Sequence, residues 1–388
     1  MIIKSVLVLA LGLLMQLQTS SGTLETITIA NIQQLEIIEE FEVEPMGSRE
    51  ITVAFSDDSQ ILAYITAMAP WADGGVAFID TRTLEPFRFA SGEALAGTAL
   101  HFTSEWLLVG TEDGFLQRYA LDSSKLVDEI RVSPNSEDTD DPLYTNGGDV
   151  EVIATSSDES FYAVAATSER WGENILYLSA FDEEPILQIS AGEPPNRALG
   201  RGYDVAFHPT DAFVVFAGLS DDGTGHWVTS VQIRDIETGT LESSCDSFRH
   251  SLNTHTLVVS PDGTHVIYNA DNGIRIWDTR NCADHDDAWT ILKPVNEEEW
   301  VTTMEVHPTE PILAVALSTR NQDCDCYGVG VLQFWDIQSR ELLYETTDYG
   351  AVGSYNVITN LTFSPDGTML ATGSEDDTVR LWGIPADE

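Results

Sequence analysis

Four aromatic residues sit in short polar segments: Trp71 in APWADGG, Trp171 in SERWGEN, Trp227 in TGHWV and Tyr327 in DCDCYG. Arg170 and Arg320 stand beside two of them, rare cations in an acidic chain. Rings and guanidinium groups grouped in this way stack on a sugar, a peptide side chain or a cation. Their other reading is structural, as rings packed into loop cores. Two acidic runs raise metal chemistry. The run 135–141, NSEDTDD, offers the oxygen ligands that calcium accepts, without the spacing or glycine of an EF-hand loop. The run 284–287, DHDD beside Cys282, has donors for a transition metal. For both, a solvated acidic loop is the better reading. No Gly-x-Ser-x-Gly elbow, His-Glu-x-x-His, P-loop or Cys-x-x-Cys occurs, so hydrolase, zincin, nucleotide and thioredoxin chemistry lack a starting point.

The elements that would position these residues repeat along the chain. Residues 361–383 read LTFSPDGTMLATGSEDDTVRLWG, and 257–278 read LVVSPDGTHVIYNADNGIRIWD. Weaker copies cover 52–80, 100–120, 152–182, 205–235 and 304–336, which makes seven units. Each has an alternating apolar run, a turn rich in Ser, Pro, Asp and Gly, a second apolar run, and a third that ends in an aromatic residue or Ile. That pattern predicts three short antiparallel strands joined by tight turns. A fourth, outer strand follows, for example at 84–89, 126–132 and 342–346.

Ser364-Pro365-Asp366-Gly367, then Gly373-Ser374, Asp376, Thr378 and Trp382, resemble the second half of a WD repeat, with Gly383 where that family has Asp. The resemblance implies an all-β, seven-bladed β-propeller with four-stranded antiparallel blades. The mean spacing of about 51 residues exceeds the usual WD period of roughly 40 to 45. The paired glycines of kelch repeats are missing. The seventh unit ends at Gly383 without an outer strand, and an unpaired strand edge invites aggregation. The extended segment 35–43, LEIIEEFEV, has no blade of its own and is expected to supply that strand and close the ring. The family's buried His network is incomplete: Asp113, Asp271 and Asp376 and Trp277, Trp335 and Trp382 remain, but Gly353-Ser354-Tyr355-Asn356 stands where the seventh unit needs its His. His208 and His307, in His-Pro-Thr turns, read as structural.

In a propeller of this type the first-to-second and third-to-fourth strand loops share one face, and these are mostly short. The long connections fall on the other: 67–75, 133–149, 191–202, 220–225, 293–300, 319–328 and 347–356. Binding residues concentrate on such loops. The collar of Trp71, Trp171, Trp227, Tyr327, Arg170 and Arg320 would lie there.

The N-terminus predicts export. Lys4 precedes an unbroken apolar stretch from Ser5 to Met15, and small residues follow to Gly22, the form of a signal peptide at 1–22 with cleavage near Ser21 or Gly22. The mature chain, 23–388, is then one propeller domain in the medium, the periplasm or at the cell surface. The lead-in 27–35, ITIANIQQL, resembles bacterial secreted WD-repeat propellers. Cys245, Cys282, Cys324 and Cys326 can pair in an oxidising compartment in three ways, the nearest in sequence being Cys245 with Cys282 and Cys324 with Cys326. The sequon Asn360-Leu361-Thr362 opens an inner strand, where burial would block glycosylation.

A formal net charge of −46, with only three lysines (Lys4, Lys125 and Lys293), repels phosphate backbones and anionic lipid. Neither nucleic acid nor membrane is an expected partner. With 43% hydrophobic residues the acid decorates a folded core. The expected function is a monomeric, non-enzymatic scaffold, with no cofactor beyond a place for calcium, that binds a protein or glycan on its long-loop face. The alternative is a propeller enzyme, lactonase-like with a metal or quinoprotein-like, which would draw on Asp149, Asp204 and Glu305 at the central funnel.

Overall fold

A computed structural model describes residues 23–43, 51–66, 75–91, 97–132, 149–167, 174–181, 183, 186–191, 204–210, 212–221, 227–246, 256–270, 273–279, 290–292, 299–321, 326–346 and 357–386. These residues form seven four-stranded antiparallel sheets and one 3-10 turn, Ile32–Gln34. The blades span 51–91, 97–131, 150–191, 205–246, 257–292, 299–346 and 358–383, numbered 1 to 7 here. Their inner strands, among them Ile51–Phe55, Gly97–Phe102 and Ile358–Phe363, surround a central channel.

The core is a ring of seven separate seams rather than one centre. Ala54, Phe78 and Leu107 join blades 1 and 2, and Leu178 and Phe216 join blades 3 and 4. Ile267 and Val315 join blades 5 and 6, while Phe334 and Leu370 join blades 6 and 7. Because both faces of a middle strand lie in a seam, the alternation expected of a half-exposed strand gives way to continuous burial. In blade 7 all six residues of both Met369–Ser374 and Thr378–Gly383 are buried.

Closure follows the expectation from 35–43. Strand Glu36–Glu42 pairs antiparallel with Thr378–Gly383, Ile37 opposite Trp382 and Glu42 opposite Thr378. Arg380, only 2% exposed, donates to Glu40 Oε2 at 2.7 Å and to Asp376 Oδ2 at 2.8 Å, so one buried guanidinium ties the N-terminal strand to the last blade. The splice continues through Glu25 N–H to the Ile384 carbonyl at 2.8 Å and Ala386 N–H to that of Thr23 at 3.0 Å.

Candidate functional site

The two ends of the channel are built differently, and the short-turn end follows directly from sequence. In blades 1, 3, 5 and 7 the first turn is Ser-x-Asp. The hydroxyls of Ser56, Ser156, Ser260 and Ser364 donate to the Asp two residues on, at 2.6 to 2.7 Å. In blades 4 and 6 a His replaces the Ser. His208 accepts the Thr210 N–H at Nδ1, which leaves Nε2 to donate to the Gly263 carbonyl of blade 5 at 2.7 Å. His307 repeats this, bonding Gly367 of blade 7 at 3.1 Å. Both glycines are left-handed, at φ +69° and +70°, and a Cβ on either would stand 2.2 or 2.5 Å from the imidazole. The structural role expected of His208 and His307 is therefore that of latches between blades.

Inside the channel, blade neighbours are joined by side chains on the inner strands. Thr52 Oγ1 donates to the Thr98 carbonyl at 2.9 Å, and Asn360 Oδ1 accepts the Val53 N–H at 3.2 Å. Asn360 is thus engaged within the ring, and its neighbour Leu361 is buried. Asp204 straps blade 4 to blade 5: Oδ1 accepts the Val205 N–H at 2.8 Å and Oδ2 the Leu257 N–H at 2.7 Å.

The channel encloses about 510 Å³, and its walls carry Asp204, Glu305, Glu151 and His101 without a lysine or arginine. Burial pushes Asp204 up to about 7 against the pull of its two backbone N–H donors. Burial, helped by the charge of Asp204, pushes half-buried Glu305 up to about 8. Burial also lowers His101 to about 4, and its Nε2 lies 2.8 Å from Thr155 Oγ1. Asp204 and Glu305 thus share one cavity, as the enzymatic alternative requires, but Asp149 is not among its lining residues. Among the described residues no three His, Cys, Asp or Glu side chains stand close enough to hold a metal ion.

Trp71, Trp171, Arg170, Cys282 and Cys324 lie outside the described residues, as do the acidic runs 135–141 and 284–287 and the segment 1–22. The backbones of the remaining collar positions are placed. Trp227 opens the third strand of blade 4, paired with Asp221, and Tyr327 pairs with Arg320 across blade 6. Cys326 lies opposite Asn321 in the same hairpin, and Cys245 opposite Val231 in the outer strand of blade 4.

One expectation changes here. Segments 220–225 and 319–328, read as loops, are partly strand. The middle hairpin of blade 4 is Phe213–Asp221 with Trp227–Asp235, and that of blade 6 is Ile312–Asn321 with Cys326–Asp336. Strands of 9 to 11 residues, against 6 in blade 7, carry these hairpins about 10 Å further toward the long-loop face. Their polar composition hid the pairing, since Ser, Thr, Arg and Asn satisfy a ladder as well as Val does once the register is set.

Residues of the WD network keep hydrogen bonds of their own among the described residues. Asp376 bonds Thr378 and Arg380, while Trp382 Nε1 donates to Thr372 Oγ1 at 3.1 Å and Trp335 Nε1 to Gln333 Oε1 at 3.0 Å.

Residues 349–383 match the family described as WD domain, G-beta repeat. The protein ROOT INITIATION DEFECTIVE 3 of Arabidopsis thaliana is 26% identical over 177 residues, which are 44% of this chain and 33% of that protein. Jouberin of Rattus norvegicus is 25% identical over 199 residues, 48% of this chain and 17% of its own length. The chain therefore spans no more than a third of these curated relatives. A chain in the crystal structure of the mitotic checkpoint complex superposes with a TM-score of 0.62 at 12% identity, over 91% of this chain and 96% of that one. That likeness shows the fold. The repeat match and the seven blades together support a WD-repeat β-propeller.

Proposed function

We propose that this chain is an exported, non-enzymatic scaffold of the bacterial secreted WD-repeat type, acting as a monomer and binding a protein or glycan partner on its long-loop face. The observation that carries the reading is the pair of lengthened hairpins in blades 4 and 6. They bring the backbones of Trp227, Arg320 and Tyr327 to the face where the long connections begin and end. A latched ring supplies a rigid base, and variable connections on a rigid base are suited to recognition. The structural neighbour, by its title, is part of a multiprotein complex, a precedent for a protein partner.

Export is tested by mass spectrometry of protein recovered from the native medium or periplasm. A mature N-terminus near Ser21 or Gly22 supports it, and an intact Met1 in the cytoplasm overturns it. The same sample tests the non-enzymatic reading: stoichiometric, tightly held metal or a redox cofactor would contradict it.

A further inference from the structure

The short-turn face carries a second recessed feature. Between blades 3 and 4 a groove of about 600 Å³ has a floor of Phe161, Phe181 and Ile186 and a rim of Glu159, Glu183 and Glu237. No lysine or arginine is among its lining residues. The local sequence explains both parts. Phe161 and Ala180 are cross-strand partners at the ends of their strands, so Phe181 lies just past the sheet. The Ile186 N–H donates to the Leu178 carbonyl at 2.9 Å, which holds Ile186 against the end of the same blade. Glu237 comes from blade 4, in a turn whose N–H groups are held by Asp235 Oδ1 at 2.7 to 3.1 Å.

The rim is set for positive charge. Burial works against ionisation of Glu159, but the Ser104 hydroxyl and N–H of blade 2, at 2.6 and 2.9 Å, hold its carboxyl below its ordinary range and engage both its oxygens, which leaves Glu183 and Glu237 to meet a cation. Glu183 and Glu237 are exposed. Phe181 already accepts a cation from within the chain, since the Arg118 guanidinium lies 5.9 Å from its ring centre while ion-paired to Asp128. A half-buried aromatic floor beneath a carboxylate rim matches a side chain with an apolar stem and a cationic head. The chain's net charge of −46 adds long-range attraction for the same class of partner.

We propose that this groove docks a basic segment of a partner protein, an extended stretch in which lysine or arginine alternates with apolar residues. The apolar residues cover Phe161, Phe181 and Ile186, and the cations meet Glu183 and Glu237. This surface is independent of the collar on the opposite face, so either can fail alone.

The test is fluorescence anisotropy of the full chain at physiological salt with two labelled pentapeptides, Leu-Arg-Leu-Arg-Leu and Ser-Arg-Ser-Arg-Ser. The leucine peptide is expected to bind at least tenfold more tightly. Glu183→Lys and Glu237→Lys, with unchanged thermal melts, are expected to weaken it at least fivefold. Glu341→Lys, an exposed residue on the same face in blade 6 with the same change in net charge, is expected to alter it less than twofold. Equal binding of the two peptides, an equal loss in Glu341→Lys, or no binding at all would overturn the proposal.

Discussion

The two faces of the ring solve opposite problems. On the short-turn face the same few residue types recur blade after blade, and their hydrogen bonds close within a turn or onto the next one: Ser to Asp, His to Gly, Ser104 to Glu159. On the long-loop face connections differ in length and composition from blade to blade, and among the described strands two hairpins outgrow the rest. Repetition on one face ties blade to blade, and the proposed function assigns recognition to the face where the connections diverge. Changes on the turn face or at the closure should therefore cost stability, and changes in the collar should cost binding.

The largest stability loss is expected at the closure. Arg380→Ala leaves Asp376 and Glu40 facing each other's charge without the buried guanidinium and should destabilise by about 3 kcal/mol. Because the N-terminal strand is held by the same residue, proteolysis should begin between residues 23 and 43. Gly367→Ala comes next. A left-handed backbone and a Cβ driven into His307 together should cost on the order of 2 kcal/mol in chemical denaturation. If either variant melts like the parent, the closure or the latch does not hold the ring.

The channel and the turns should also separate by pH. Asp204 and Glu305 keep their protons in the folded ring at pH values where the unfolded chain has released them. Their contribution therefore makes stability fall as pH rises from about 4 to about 8, by up to about 1.4 kcal/mol per pH unit for each group. The turn carboxyls run the other way. Burial opposes ionisation of Asp262, but the hydroxyls of Ser260 and Thr264 lower it to about 2, so its stabilisation is present above pH 4 and lost toward pH 2. Urea midpoints from pH 2 to 9 should trace a maximum near pH 4 to 5. Asp204→Asn with Glu305→Gln should flatten only the alkaline limb, and an unchanged limb would remove these carboxyls from the account.

Most of the ring was legible in the sequence because it is repeated physics. Ser364-Pro365-Asp366-Gly367 announces a turn, the alternating runs announce strands, and a seventh unit lacking a fourth strand calls for 35–43. The latch was half legible: the His-Pro-Thr turns marked His208 and His307 as structural, but their glycine partners lie 55 and 60 residues away in sequence. The sequence places Asp204 and Glu305 at the central funnel, and they do line the channel, whereas their hydrogen-bond partners and the blade 3–4 groove were not visible. The strap from Asp204 to Leu257 and the groove each join residues on different blades, and local pattern does not reveal which side chains meet across a seam. The extra strand in 220–221 and 319–321 was hidden because polar residues in a paired strand look like loop.

The smallest stability change is expected in the collar, and there the division between the faces is tested most directly. Trp71, Trp171, Trp227 and Tyr327 would be changed together to alanine, and capture of partners from the native medium measured beside the thermal melt. A melting temperature within about 2 °C of the parent, corresponding to roughly 1 kcal/mol or less, with capture reduced at least tenfold, is the result predicted. Undiminished capture by a folded quadruple variant would contradict recognition through the long-loop face.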